Sequence, residues 1–279
     1  MSKGKDAPTT PYEKLLDHPL VGSVIQNAGP VLAARVSAFE EEAETEEEPE
    51  ATGKQSRKAR GKKAPAKLVL TREQEYHDEV FFHVRGLTGA VERLDEISVY
   101  LGRLPNSPAL KKRGITLHRW VQYHYSNYLT GAVTVYDTAL LLTNAVFMLG
   151  LSPKVCSEET VTKNRRVQRT KASAALNKLK EVTRQYREPR NLHIHRGEAP
   201  VLGKLDEYEN ILWMHRAQER LEIDTGPRVP VRVVETLYGF ERRRLVRSVR
   251  DETEGMAEAA RGLFDSLVPV YEAMTSRLK

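Results

Sequence analysis

Apolar residues recur along this chain at spacings of three, four and seven, the period of an α-helix, and nowhere alternate with polar ones as in a strand. The clearest stripe runs over 116–149: Leu117, Val121, His124, Tyr128, Ala132, Val135, Ala139, Leu142, Val146 and Leu149. Gly150 and Pro153 stop it. A helix over 71–101 places Val80, Val84, Leu87, Val91, Leu94 and Leu101 on one face. A third is predicted over 157–187, with Ser157 as N-cap, Glu158 and Glu159 in its first turn, and Leu176, Leu179, Val182 and Tyr186 as its core face. A fourth covers 204–223. After Gly226-Pro227, 231–279 reads as mostly helix, with Met256, Ala260, Leu263, Leu267, Val270 and Met274 in its stripe. Long helices joined by short connections predict an all-α, up-and-down bundle.

The pattern divides the chain into three parts. Residues 68–279 form the helical domain. Residues 1–39 form an appendage whose helical segment, over 11–39, carries Leu15, Leu16, Val24, Ile25, Val31, Leu32 and Val36 and is expected to break at Gly29-Pro30. Between them, 40–50 holds eight glutamates and 54–67 holds seven basic residues. Such blocks have no apolar groups to offset the entropy of ordering, so 40–67 is expected to be a disordered charged linker. It reads either as a solvated tether or as a basic arm that touches RNA or acidic partners.

Composition narrows the classes. The 279 residues are 40% hydrophobic and 29% charged, the mean hydropathy is −0.52, and the net charge is +6. The amino terminus has no apolar run of the secretory kind. The most apolar window, 132–151, is long enough for a membrane span but carries Asp137, Thr138, Thr143 and Asn144, so a buried core helix is the better reading. Cys156 is the only cysteine, which excludes an intrachain disulfide and a cysteine-based zinc cage and fits a reducing, cytoplasmic setting.

Phosphate-binding loops, dinucleotide fingerprints, H-E-x-x-H and G-x-S-x-G are all absent. His193 and His195 are two apart, about 200° around an ideal helix, and no cysteine or carboxylate pair completes a ligand set, so no metal or other cofactor is expected. What remains is Arg190-Asn191-Leu192-His193-Ile194-His195, of the form R-N-x-x-x-H. Histidine titrates near neutrality and can act as base or acid. A guanidinium can grip two phosphate oxygens. Asn191 and His195 are four apart and would share a helix face, where the amide could orient the imidazole. Arg190 and His195 are five apart, about 140° around a helix, and converge only through arginine's reach or a distortion at Pro189.

This hexamer, at the end of one long helix with others before and after it, resembles the signature of the HEPN superfamily (higher eukaryotes and prokaryotes nucleotide-binding domains). The resemblance implies a HEPN-like bundle over roughly 68–279 and metal-independent RNA cleavage. It also implies a homodimer that joins two motifs in one cleft, and products ending in 2′,3′-cyclic phosphate and 5′-hydroxyl. Toxin–antitoxin or antiviral defence roles follow by analogy, with an antitoxin or regulatory protein as a further partner. The site residues it implies are Arg190, Asn191 and His195; Arg187 with His193 is a second match of the same kind. The competing reading is an inactive module of the same fold that binds RNA, a nucleotide or a protein partner.

Around the motif, Asp137 and Asn144 lie two turns apart and either line the cleft and orient Arg190 or His195, or make an internal polar contact. His193 is supporting or simply exposed. Tyr123, His124 and Tyr125 read as core and interface aromatics. Two basic clusters, Arg165, Arg166 and Arg169 near the start of the third helix and Arg243, Arg247 and Arg250 on one face of the last, read as RNA-binding tracks or as solvated faces. The last cluster also admits a DNA-binding regulator.

Overall fold

A computed structural model describes residues 9–46, 69–103, 107–222 and 229–279. Helices α1 (Pro11–Leu16), α2 (Pro19–Glu46), α3 (Arg72–Gly102), α4 (Pro108–Lys112) and α5 (Leu117–Val146) are followed by three short ones, α6 (Glu158–Thr162), α7 (Arg165–Gln168) and α8 (Ala172–Thr183). A 3-10 turn (Arg184–Tyr186) leads into α9 (Arg187–Arg196), then α10 (Lys204–Leu221) and α11 (Val231–Leu278). The described residues contain no strand, and the fold is the all-α bundle that the periodicity predicts.

α3 and α5 pack along their lengths as the central pair, with α11 against α3, α8 and α10. Thr71 opens α3 with a capping box to Gln74, and Thr116 caps α5 through the Arg119 N–H. The stripe residues Val80, Val84, Leu87, Val91, Leu94 and Leu101 of α3 are buried against Val121, Tyr128, Ala132, Val135, Ala139, Leu142 and Val146 of α5 and Met256, Ala260, Leu263 and Leu267 of α11. Gly131 allows the closest approach: a Cβ there would sit 2.8 Å from Leu94 Cδ2. α5 is long and apolar enough to cross a bilayer, but 67% of its most apolar window is buried inside the fold, as a core helix requires.

Three local expectations are corrected. The helix at 19–46 does not break at Gly29-Pro30. Val24, Ala28 and Val31 are buried across that point while Pro30 is exposed, so the docked face holds the helix together. An interior proline costs about 3 kcal/mol, which burying several apolar side chains can offset. The break falls earlier, at Asp17–His18, where α1 ends. α2 also continues to Glu46, into the stretch expected to be a linker; the rest of that stretch, 47–67, lies outside the described residues. The single helix expected over 157–187 is α6, α7, α8 and the 3-10 turn, because Asn164 caps a new helix through the Arg166 N–H and Lys171 starts another.

Candidate functional site

The route into α9 is fixed by a polar cluster under the 3-10 turn. Tyr186 is buried, and its hydroxyl donates to Glu252 Oε2 of α11 at 2.6 Å. The Tyr128 hydroxyl of α5 reaches the same oxygen at 3.3 Å, Ser248 donates to Glu252 Oε1 at 2.9 Å, and Gln185 donates to the Tyr186 hydroxyl at 2.8 Å. The Tyr128 and Tyr186 rings meet edge to face. Two helices, α5 and α11, are thereby tied to the residue immediately before Arg187.

α9 then restarts with Pro189 in its first turn, where a missing N–H costs no helix hydrogen bond. The distortion associated with Pro189 lies upstream, in 184–186, and α9 itself is regular. Pro189 and Leu192 line a small hollow of about 220 Å³ with Tyr125 and Leu129 of α5 and Pro200 and Val201 of the following loop. Gly197, at φ 68°, ends the helix, with its N–H bonded to the His193 carbonyl and the Glu198 N–H to that of Leu192.

The two arginines face α5. The Arg187 guanidinium lies over the Tyr136 ring, 5.2 Å from its centre. Arg190 is half-buried; its Nη1 donates to Asn191 Oδ1 at 3.0 Å, and its Nε is buried without a partner. Burial raises the Asp137 pKa above the ordinary aspartate value even though part of the side chain reaches solvent, and the charges of Arg187 and Arg190 pull it back down. The Tyr136 hydroxyl is buried without a partner as well, and burial, with Glu158 nearby, raises its pKa. Two orphaned polar atoms thus lie around one acid and two arginines. Asp137 and Arg187, but not Arg190 or Tyr136, also line a hollow of about 870 Å³ together with Cys156, Ser157, Glu158 and Lys163, among others. Burial raises the Cys156 thiol pKa, so it is held in the unreactive thiol form.

His195 is exposed and makes no hydrogen bond. Five positions along a regular helix carry it about 140° from Arg190, so one chain does not present the two side chains on the same face of α9. Asn191 is hydrogen-bonded to Arg190 and not to the imidazole it was expected to orient. His193 is tied by Nδ1 to the Glu198 carbonyl at 2.9 Å and holds the loop after α9.

Asn144 does not line the cleft. Its side chain bonds both the N–H and the carbonyl of Leu151, at 3.0 and 2.9 Å, and closes the loop after α5. Tyr123, expected in the core or an interface, is 65% exposed, while His124 is buried among Tyr100, Trp120 and Tyr123. Arg165, Arg166 and Arg169 are exposed on and after α7; Arg243, Arg247 and Arg250 are exposed on α11, with Arg243 over the Phe240 ring at 4.7 Å. Sequence reasoning missed Tyr136 and Glu252. Tyr136 adjoins Asp137 and could have been suspected; Glu252 carries no signal, because its partners come from other helices.

A family model described as Cthe2314-like HEPN matches residues 85–227, just over half of the chain. The chain belongs to this HEPN family. The match runs from within α3 past the end of α10 and contains the R-N-x-x-x-H hexamer, but is shorter than the 68–279 span of the resemblance. No curated protein and no solved structure matches the chain. HEPN membership indicates an RNA-related or nuclease function at that coarse level.

Proposed function

We propose that this HEPN protein is a metal-independent endoribonuclease, with Arg187 and Arg190 holding the scissile phosphate and His195 moving protons. The observation that carries the reading is the pair of arginines beside Asp137, with Arg190 Nε and the Tyr136 hydroxyl unsatisfied, on the same short helix as an unbonded, exposed histidine. In this reaction the ribose 2′-oxygen attacks phosphorus and a base takes its proton. The bond from phosphorus to the 5′-oxygen breaks, and an acid protonates that oxygen. The products carry a 2′,3′-cyclic phosphate and a 5′-hydroxyl. The guanidiniums stabilise the charge that builds on the phosphate. Because His195 points away from Arg190 within one chain, the complete site needs a second protomer, whose His195 supplies the other proton-transfer group.

The test is incubation of the purified chain with RNA in excess chelator. Cleavage should disappear in His195→Ala and Arg190→Ala with folding intact. Equal cleavage by all three proteins sinks the assignment. A second reading is favoured by the regularity of α9, which sets Arg190 and His195 about 140° apart around the helix: an inactive HEPN module that binds RNA, a nucleotide or a protein partner. Retained RNA binding with no cleavage in any form would select it. A place in defence or toxin–antitoxin systems, and an antitoxin partner, stay proposals by family analogy; growth arrest on expression, relieved by His195→Ala, is the corresponding test.

A further inference from the structure

Two helices carry apolar stripes that turn to solvent. On the first half of α11, Val233, Leu237 and Phe240 recur at intervals of four and three, so they share one side, while Val234 and Tyr238 are buried on another. Arg244 and Arg247 continue the same stripe with Arg243 beside it, and all three are exposed. On α2, Leu32, Val36 and Phe39 repeat that spacing, with Leu32 half-buried and the other two exposed. The helix then runs on through Glu40-Glu41-Glu42-Ala43-Glu44-Thr45-Glu46, five glutamates in its last seven positions. Phe39 is 69% exposed and Phe240 59%, and apolar groups of that size gain from cover.

The two stripes match in register and oppose in charge. With α2 laid parallel on α11, Leu32, Val36 and Phe39 fall opposite Val233, Leu237 and Phe240. The acidic run 40–46 then falls opposite 241–247, which holds Arg242, Arg243, Arg244 and Arg247 against one acid, Glu241. Pairing α11 with a copy of itself does worse. In parallel it sets arginine on arginine, and in antiparallel it sets arginines on Val233 and Leu237. Both leave the cations without an opposite charge.

A single chain cannot bring the two stripes together. α2 runs beside α11 in the same direction, since His18 Nε2 meets Asp265 at 3.0 Å and Asn27 Nδ2 donates to the Tyr271 hydroxyl at 3.0 Å. At about 1.5 Å per residue, Phe240 lies about 47 Å back along α11 from Tyr271, and Phe39 lies about 18 Å further on from Asn27. The acidic stripe and the basic one therefore sit at opposite ends of the bundle, where only two copies can join them. We propose that copies of this chain associate head to tail, with the distal end of α2 in one copy seated on the first half of α11 in the next. Each contact leaves the other stripe of both copies free, so the copies follow one another in an open row along the helix direction. This contact is separate from the second protomer that the α9 reading requires, and it does not depend on α9 being catalytic.

The experiment is sedimentation velocity of the full chain at rising concentration, in low and in high salt. The proteins are wild type, Val36→Gln/Phe39→Gln, Val233→Gln/Phe240→Gln and His195→Ala. All substituted side chains are exposed, so circular dichroism should be unchanged. Wild type and His195→Ala should grow past a dimer as concentration rises, and salt should weaken that growth. Each double variant alone should associate at least about tenfold more weakly. An equal mixture of the two double variants, one of them fluorescently labelled, should recover the wild-type affinity, because the intact α11 stripe of one takes the intact α2 stripe of the other. The proposal is overturned if wild type never exceeds a dimer, if either double variant grows as wild type does, or if the mixture recovers nothing. Wild type that stays small but sediments with phosphatidylserine vesicles would overturn it too, by giving the α11 stripe to a lipid surface. Loss of growth in His195→Ala would also overturn it, by moving the contact to α9. RNA cleavage measured in parallel tests the α9 reading separately.

Discussion

α5 and α9 lie against each other and do opposite things with their side chains. α5 buries nearly a whole face, from Val121 to Val146, and its Thr143 and Asn144 side chains are taken up by backbone bonds. α9 buries none of its residues fully; Leu192 and the two arginines are its half-buried contacts toward α5. Its arginines are held from below by α5, while His195 is left in solvent. The difference shows where each property resides. Stability belongs to helices whose period matches the core, and the candidate chemistry belongs to a short helix that is positioned by its neighbours and contributes little to the fold itself.

The contrast can be broken in order of expected effect. Leu142→Ala on α5 opens a cavity in the centre of the core and should cost about 2–5 kcal/mol in urea unfolding; a loss below about 1 kcal/mol would mean that α5 is not the core helix. Tyr186→Phe removes the donor to Glu252 and should cost about 1–3 kcal/mol. It should also speed amide exchange in α9 more than in α5, since α9 depends on that anchor. Asn144→Ala frees both Leu151 bonds and should cost about 1–2 kcal/mol, with no loss of any RNA cleavage that is separable from stability.

The pH response sharpens the comparison from the core side. Burial lowers the pKa of His77, partly opposed by Glu73, and burial lowers that of His124. As pH falls below the ordinary histidine value of about 6.5, the unfolded chain takes up these protons before the folded one does. Stability present above that pH is therefore lost down to the lowered folded values, and melting followed from pH 8 to pH 5 should show a fall that His77→Gln reduces. The smallest stability effect should come from His195→Ala, within about 0.5 kcal/mol, together with complete loss of RNA cleavage. A large destabilisation by that substitution would erase the distinction between the two helices.

Much of the architecture was legible because helix period and burial are the same signal. The stripes of α3, α5 and the distal part of α11 appear in the core as the spacing predicts. The misreadings share one cause, which is that local punctuation was weighed without its tertiary setting. Pro30 looks like a breaker until Val24, Ala28 and Val31 are seen to be docked. The interval from 157 to 187 looks like one helix until the Asn164 cap and the turn at 184–186 interrupt it. Asn144 looked available to the motif because it sits two turns from Asp137, yet it is consumed by Leu151.

From the order of its residues alone this chain specified helices, their apolar faces and the R-N-x-x-x-H hexamer, because each is set by spacing within one segment. Only the folded arrangement decided that Asp137 and Tyr136 face Arg187 and Arg190, that Glu252 anchors the turn before them, and that Arg72, Arg166, Arg169, Lys171 and Arg277 gather around one cleft. Those relations join residues tens to hundreds of positions apart. The close packing of helices creates them, and no local pattern encodes them.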